Sequence, residues 1–501
     1  MAVLVLLLAG PAWSQTAPGR GDFPTQLAAS VLGAAFAFIV PRALEPVSPR
    51  QLAIWGLAGP AALDESFSAE LREGSVVLLQ NDRIVFERPL PADDGPEAWG
   101  RLVADVLRAA SDASASARAA GLNGLLGSFF DEVFNHLDPY SRYVPPGAAD
   151  ADRARRSGEA GAGMQLRKQG ADFVVTDVNA DGPAAEAGIQ VGDRVTAVDD
   201  QPTAGETLDT VTGWIAGLEG TDLTLTVRSR RGPARTVELE RAVATPETVF
   251  VKRLDTTLVI RIAGFSVDTD QRLARELTRW LGGTAGRAVR GIILDLRSNR
   301  GGLLRQAVSA TDLVLPGGII AITAGRNPNA AHEWRASATD LTAGRPIVVL
   351  VDGRSASAAE IMAAALSDQG RAVVVGSATL GKGLVQTIAT LPDGGELFVS
   401  WSRVLAPSGW PLQGLGVLPQ VCTSMGQDQI RDQLASLERG MQTLGPALAR
   451  HRAARAPLPA AEALALRNAC PAAEARDADL ATARYLLSHP TAYAAARMPP
   501  P

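Results

Sequence analysis

Ser357 is the residue best placed to act as a nucleophile. It lies in the segment PIVVLVDGRSASAAEIMAAAL, which combines a buried strand, a turn of small residues and the start of a helix. Free N–H groups at a helix N-terminus can bind an oxyanion. An alanine on each side of Ser357 leaves room for an approaching backbone, and the amide of Ala358 would point at a developing negative charge. The alternative is that Ser355 or Ser357 is only a helix N-cap.

A serine nucleophile needs a base, and Lys382 is the candidate. The scattered histidines are His136, His332, His451 and His489. Only His332 falls in the predicted strand-helix region, in a polar loop, so a Ser-His-Asp triad is poorly supported. Lys382 lies between two glycines in the apolar segment VVVGSATLGKGLVQTIATL. Burial disfavours an ammonium ion and leaves a neutral amine that can accept a proton. The alternative is a solvated surface lysine.

Two further groups could complete such a site. In DLRSNRGGLL a strand ends at Gly301 and Gly302 before a helix, which is a suitable layout for a second backbone N–H donor. An ordinary strand-to-helix turn would have the same sequence. Gln386, four positions after Lys382, could hold the amine by hydrogen bonding if the segment is helical there.

The elements around these residues predict an α/β core over residues 246–421. Apolar strand segments LVIRIAGF, GIILDLRS, PIVVLVDG and AVVVGS alternate with helical segments TDQRLARELTRWLGG, LLRQAVSATDLVL and SAAEIMAAALSDQG. This alternation is typical of a largely parallel sheet covered by helices, with active residues beyond the strand ends.

Three other regions flank this core. Residues 22–156 predict a mainly helical domain with one hairpin, VVLLQNDRIVFERPL. Residues 157–245 predict a β-rich module with two short helices, and residues 422–501 predict a helical extension rich in Ala and Arg. A chain of 501 residues should hold roughly two to four domains, which agrees with this division.

Composition excludes several function classes. The net charge is −5 with both signs interspersed, so no basic stripe favours nucleic acid or anionic lipid as a partner. The sequence predicts no cofactor. The run GSATLGKG nearly matches a phosphate-binding loop, but Gly383 lacks the hydroxyl that would bind Mg²⁺ and strand-like residues follow it.

The N-terminus predicts export. The segment MAVLVLLLAGPAWSQ has a short apolar run and a small-residue pattern at Ala12 and Ser14, which indicates a cleaved signal peptide over residues 1–14. A second apolar stretch, LAASVLGAAFAFIVPRAL, is interrupted by Pro41 and Arg42 and favours a packed or interfacial helix. A retained anchor extending to residue 45 stays open. The expected location is the periplasm or cell envelope of a bacterium.

Cys422 and Cys470 are the chain's two cysteines. In an exported protein an even pair is more often a disulfide than a metal site. Two thiols do not complete a tetrahedral zinc site, and the histidines show no ligand spacing. The sequence therefore predicts a disulfide and no metal.

Three motifs in order resemble those of the carboxy-terminal processing peptidases, also called tail-specific proteases. They are DLRSNRGGLL, RSASAAEI and GKGLVQ, with Ser357 and Lys382 25 positions apart. The resemblance extends over Leu137–Pro419 and includes LDPYSRYVPP, GPAAEAGIQVGDRV and APSGWPLQGLGVLP.

The resemblance implies a serine endopeptidase with a ClpP/crotonase-like core and a PDZ domain over residues 157–245. Ser357 matches the nucleophile, Lys382 the general base and Gln386 the residue that orients the lysine. The amides of Gly302 and Ala358 match the oxyanion hole. The PDZ domain of the family binds apolar carboxy-terminal tails and helps to gate the protease site.

The loop expected to bind the tail carboxylate consists of Gly161, Ala162, Gly163 and Met164. Implied partners are exported proteins with exposed carboxy-terminal tails, while an adaptor protein and the oligomeric state stay open. Arg300 and Gln420 depart from the family's pattern, and both could alter substrate preference or regulation. The rival function is a catalytically silent scaffold of the same fold that works through its PDZ domain.

Overall fold

The computed structural model describes residues 23–149, 160–179, 182–217, 219–229, 232–243, 247–337 and 339–499. The chain forms two compact units. The first comprises the residues up to Val40, Val47–Pro145 and Thr390–Leu397, and the second comprises Pro41–Pro46, Pro146–Ala389 and Phe398–Pro501. The signal peptide predicted over residues 1–14 lies outside the described residues.

The first unit is mainly helical. Its helices are α1 (Thr25–Ile39), α2 (Pro49–Gly56), α3 (Gly59–Leu63), α4 (Pro96–Ala113) and α5 (Ala115–Asn135). Helix α1 contains the second apolar stretch and buries Leu32 and Phe36, so that stretch is a packed helix. A Cβ at Gly100 of α4 would lie 2.6 Å from the amide nitrogen of Gly33, so glycine permits this close approach of α4 to α1. In the described part of the chain, no helix has the length and apolarity to span a membrane.

A small antiparallel sheet completes this unit. The strands of this unit are β1 (Phe67–Arg72), β2 (Ser75–Gln80), β3 (Arg83–Pro89) and, later in the chain, β4 (Arg142–Val144), which is not part of the small sheet. The first three form a sheet in the order β1-β2-β3. Strands β2 and β3 are the predicted hairpin, and Asn81 and Asp82 take the positive φ values of 47° and 62° that its two-residue turn requires. The sequence does not predict β1, because Phe67 is its one buried residue.

The β-rich module begins the second unit. Its strands are β5 (Ala160–Gly161), β6 (Met164–Gln169), β7 (Asp172–Val178), β8 (Arg194–Val198), β9 (Gln201–Pro202), β10 (Asp222–Arg228), β11 (Ala234–Glu240) and β12 (Ala242–Val243). Its helices are α6 (Pro183–Glu186) and α7 (Leu208–Ile215). The main sheet has the order β11-β10-β8-β7-β6. Alternate residues such as Phe173, Val195 and Leu225 form its core, as the period-two pattern predicts.

The α/β core follows. Its strands are β13 (Val249–Leu254), β14 (Thr257–Ile262), β15 (Gly291–Asp295), β16 (Ile319–Ala324), β17 (His332–Arg335), β18 (Ile347–Val351), β19 (Ala372–Gly376), β20 (Leu384–Thr390), β21 (Glu396–Leu405) and β22 (Val421–Cys422). Its helices are α8 (Thr269–Leu281), α9 (Gly283–Gly286), α10 (Leu304–Asp312) and α11 (Ala358–Asp368). The main sheet has the order β13-β14-β15-β18-β19-β22 and is parallel except at β13, which confirms the predicted parallel sheet.

The tail helices are α12 (Gln427–Glu438), α13 (Gly445–Ala453), α14 (Ala460–Arg467), α15 (Asp477–Ser488) and α16 (Pro490–Ala496). Of these, α12, α15 and α16 cover one face of the main sheet. Ile293, Val348 and Val373 of the sheet share a core with Leu437 of α12 and Leu486 of α15. The other face packs against α8, α10 and α11. The tail is therefore part of the sheet's hydrophobic cover.

A disulfide joins Cys422, at the end of β22, to Cys470, which follows α14. The bond closes a loop across 48 positions of the chain. It is the disulfide that the sequence predicts. It ties the tail to the edge strand of the main sheet.

His451 of α13 is buried, and its Nε2 lies 3.0 Å from the carbonyl oxygen of Gly416. Burial lowers the pKa of His451 from 6.5 to about 4, and the charges of Arg452 and Arg467 add to the shift. The unfolded chain therefore binds a proton between these values that the folded chain does not. We expect the free energy of unfolding to fall by up to about 3 kcal/mol as the pH drops from 6.5 towards 4.

The comparison that checks this expectation is wild type against His451→Gln in denaturant titrations at about pH 7 and about pH 4.5. Glutamine keeps a hydrogen-bond donor for Gly416 but does not titrate. The wild-type protein should lose more stability on acidification than the variant. Equal losses would show that His451 does not carry this pH dependence.

Candidate active site

Ser357 lies at the turn that joins β18 to α11. Within this turn Asp352 is buried, and its carboxylate accepts hydrogen bonds from the amides of Ser298 and Ser355, each at 2.9 Å. Ser355 is buried as well and donates its hydroxyl to the carbonyl oxygen of Leu296. Of the two serines considered as caps, Ser357 is the N-cap residue of α11, and its side chain is half-buried.

The backbone of Ser357 is strained. Its φ of 54° and ψ of −116° belong to a region that non-glycine residues rarely occupy. Such a conformation costs about 1–3 kcal/mol and persists only where the surrounding structure imposes it. Strained residues of this kind cluster at functional sites, which distinguishes Ser357 from an ordinary helix cap.

The glycine turn after β15 lies against Ser357. A Cβ at Gly301 would lie 2.8 Å from the Cβ of Ser357 and 3.0 Å from the amide nitrogen of Ala358. Gly302 forms a parallel bridge with Phe265. The bridge uses the carbonyl of Gly301 and the N–H of Leu303, so it does not engage the amide of Gly302.

The amide of Ala358 belongs to the first turn of α11, where N–H groups have no partner within the helix. Gly302 is exposed. The two amides predicted as an oxyanion hole thus lie on adjoining turns beside the hydroxyl-bearing residue.

Glu360 links the two residues predicted as nucleophile and base. Its side chain is fully buried, and its Oε2 accepts hydrogen bonds from the amides of Ser357 at 2.7 Å and Lys382 at 2.9 Å. Its Oε1 accepts from the amide of Gly381 at 2.6 Å and from the hydroxyl of Thr379. A single carboxylate oxygen therefore bridges two backbone positions that are 25 residues apart in the chain.

Burial raises the pKa of Glu360, and the hydrogen bonds donated to its carboxylate oppose that shift. The sequence analysis did not single out this residue. The signal was present, because Ser357 and Glu360 have the spacing of a capping box, in which the third helical residue bonds the amide of the cap. Nothing in the local sequence connects Glu360 to the loop of Lys382.

Lys382 is half-buried in the loop that joins β19 to β20. The segment after it is strand β20, so Gln386 does not lie one helical turn from Lys382, and the condition for that arrangement is not met. The Nε2 of Gln386 donates to the hydroxyl of Ser400 at 3.1 Å and to the carbonyl oxygen of Leu384 at 3.2 Å.

The two departures from the family pattern have different surroundings. Arg300 is exposed beside the glycine turn. Gln420 is buried, accepts from the amide of Val374 at 2.6 Å and donates to the hydroxyl of Ser367 at 2.7 Å. Gln420 is therefore part of the packing between β19 and α11.

The predicted carboxylate-binding loop of the β-rich module lines a groove of about 230 Å³. The groove is lined by Ala160, Gly161, Ala162, Gly163, Met164, Gln165, Leu166, Asp177, Asn179, Thr212, Ile215, Ala216 and Glu247. Strand β6 and helix α7 therefore both contribute to it. All four residues of the predicted loop belong to the lining.

Comparison with known proteins assigns both modules. The model of peptidase family S41 matches residues 256–423, and the PDZ domain model matches residues 174–229. A carboxy-terminal-processing protease of Bartonella bacilliformis is 34% identical over 303 residues, which cover 60% of this chain and 68% of that protein. A probable CtpA-like serine protease of Staphylococcus epidermidis is 31% identical over 304 residues, which cover 60% of this chain and 61% of that protein.

Among solved structures, the photosystem II D1 C-terminal processing protease aligns with 27% identity, a TM-score of 0.36, and coverage of 58% of this chain and 80% of that one. The resemblance found in the sequence and the mixed α/β fold with a PDZ module are confirmed. The chain belongs to peptidase family S41, the family of the carboxy-terminal-processing proteases.

Proposed function

We propose that this peptidase is a serine endopeptidase that cleaves exported proteins with a Ser357–Lys382 dyad and recognises their apolar carboxy-terminal tails through its PDZ domain. The observation that carries the proposal is the shared hydrogen-bond acceptor. Oε2 of Glu360 binds the amides of both residues, so the turn of the nucleophile and the loop of the base are held together.

In this mechanism the hydroxyl oxygen of Ser357 attacks the substrate carbonyl carbon, and the neutral amine of Lys382 takes the hydroxyl proton. The carbonyl oxygen becomes an oxyanion that accepts hydrogen bonds from the amides of Gly302 and Ala358. When this tetrahedral intermediate collapses, the peptide carbon–nitrogen bond breaks, and Lys382 gives the proton to the leaving amine. Water then hydrolyses the acyl-enzyme with Lys382 as the base again. Gln386 contributes its amide oxygen as an acceptor that orients the lysine.

The composition of the chain supports a lysine in this role. Lys168, Lys252 and Lys382 are the three lysines among 48 lysines and arginines. Arginine stays protonated in proteins, whereas a lysine amine can lose its proton. A chain that uses arginine almost everywhere retains a lysine at the position where a base is needed.

The groove of the PDZ module supports tail recognition. Met164, Leu166 and Ile215 supply apolar side chains, and the loop from Gly161 to Gly163 supplies backbone amides for a terminal carboxylate. The disulfide supports export, because structural disulfides persist in oxidising compartments.

A paired set of peptides tests the proposal. The two peptides share an apolar carboxy-terminal sequence, and one ends in a free carboxylate and the other in an amide. We expect the wild-type protein to cleave the free-acid peptide with about tenfold higher kcat/KM, because amidation removes a charge-assisted hydrogen-bond acceptor. Ser357→Ala should bind the free-acid peptide and cleave neither.

Cleavage that persists in Ser357→Ala would refute the dyad. Tail binding without cleavage by the wild-type protein would instead identify a scaffold. Equal cleavage of both peptides would remove tail recognition from the proposal and leave the protease.

A further inference from the structure

Arg467, the last residue of α14, reaches the loop that carries Lys382. Its Nη1 donates to the carbonyl oxygen of Leu415 at 3.0 Å and lies 3.4 Å from the carbonyl oxygen of Leu380, two residues before Lys382. Residue 467 lies beyond the residues that match the peptidase family model, which end at 423. A side chain of the tail thus directly contacts the loop between β19 and β20, residues 377–383, which carries Lys382 and is called the base loop below.

Two glycines make room for this guanidinium. A Cβ at Gly381 would lie 3.2 Å from Nη1 of Arg467, and a Cβ at Gly416 would lie 2.9 Å from it. Both glycines have positive φ, 87° and 66° respectively. The amide of Gly414 also donates to the carbonyl oxygen of Gly381, which joins the two turns beneath the arginine. The base loop and the turn at Gly416 therefore both pack against the guanidinium of Arg467.

Charge supports the same arrangement. Burial lowers the pKa of the Arg467 guanidinium, and attraction to the carboxylate of Glu360 opposes that shift. Glu360 is the residue that bridges Ser357 and Lys382. Arg467 thus acts on the base loop through the carbonyl of Leu380 and, electrostatically, through Glu360.

The backbone of Cys470, which forms the disulfide, also restrains Arg467. The amide of Cys470 donates to the carbonyl oxygen of Arg467 at 3.0 Å, and the carbonyl oxygen of Cys470 accepts from the amide of Ala378 in the base loop. Cys470 is bonded to Cys422 of β22. The arginine is therefore held between the disulfide and the loop of Lys382.

We propose that Arg467 is a positioning residue for peptide cleavage, which holds the loop of Lys382 in the arrangement that lets the amine reach Ser357. The inference rests on the proposed Ser357–Lys382 dyad. Its consequence is that the tail beyond the matched peptidase residues contributes to catalysis as well as to the cover of the sheet.

The experiment measures kcat and KM of Arg467→Ala per active site, with active sites counted by titration with a serine-directed phosphonate. We expect kcat to fall about 10- to 100-fold with KM unchanged, since displacement of a reacting group by about 1 Å can cost that much. Guanidinium ion at a few millimolar, roughly a thousandfold below denaturing concentrations, should restore part of the lost kcat by filling the vacated site. Arg431→Ala is the matched control, because Arg431 is an exposed tail arginine whose ion pair is with Asp428 of its own helix.

Arg467→Lys covers the case in which the alanine variant does not fold. It keeps the charge with one donor group instead of the planar fork, so we expect an intermediate kcat. A wild-type kcat in either variant would overturn the inference while leaving the dyad intact. A wild-type protein that cleaves no peptide would overturn the proposed function and this inference together.

Discussion

Lys382→Arg should abolish peptide cleavage while leaving the protein folded. The guanidinium does not deprotonate at accessible pH, so the variant has a cation where the mechanism needs a neutral amine. Loss of a member of a catalytic nucleophile–base unit typically lowers kcat by about 10⁴- to 10⁶-fold. Steady-state cleavage of the free-acid peptide measures the effect. Lys252→Arg is the matched control, because Lys252 is exposed on β13.

The pH dependence of the wild-type enzyme gives an independent check. Since the proposed mechanism uses a base in its neutral form, kcat/KM should rise with increasing pH. The Lys252→Arg variant should show the same rise. A flat profile through the neutral and alkaline range, or measurable turnover by Lys382→Arg, would assign the base to another group.

Glu360→Gln should lower both activity and stability. The carboxylate accepts two hydrogen bonds at each oxygen, from Ser357 and Lys382 on one side and from Thr379 and Gly381 on the other. Glutamine replaces one oxygen by an NH₂ group, which faces two donors whichever way the amide is turned. Two buried donors left without acceptors cost about 2–5 kcal/mol.

The expected result is a lower midpoint of chemical unfolding together with a kcat reduced about 100-fold per active site, because the turns of nucleophile and base lose their common acceptor. Glu462→Gln, an exposed change on α14, serves as the control. A variant that loses stability but keeps the wild-type kcat would restrict Glu360 to a structural role.

Local sequence patterns were sufficient for much of the fold. The alternation of apolar strands with helical segments predicts the parallel order seen in β14, β15, β18 and β19. Asn81 and Asp82 predict the hairpin turn, and the small residues around Ser357 predict a helix start. These features depend on neighbours within a few positions, because periodicity, caps and turns are local properties of the backbone.

Local patterns left the position of Gln386 relative to Lys382 open. A helix after Lys382 would bring their side chains together, whereas the strand-like residues there favour a strand, and the segment is strand β20. Short apolar runs fit both conformations, and pairing with a distant strand decides between them. The composition of the segment holds no information about its partner.

The sequence determined the candidate pair Ser357 and Lys382 through residue types and spacing, and its three ordered motifs resemble those of the family to which the chain belongs. Tertiary structure alone revealed the strained backbone of Ser357, the shared acceptor Glu360 and the tail arginine Arg467 against the base loop. The physical reason is that a hydrogen bond between residues 22 or 87 positions apart depends on how strands and loops pack in three dimensions. Neither partner's local sequence encodes that packing.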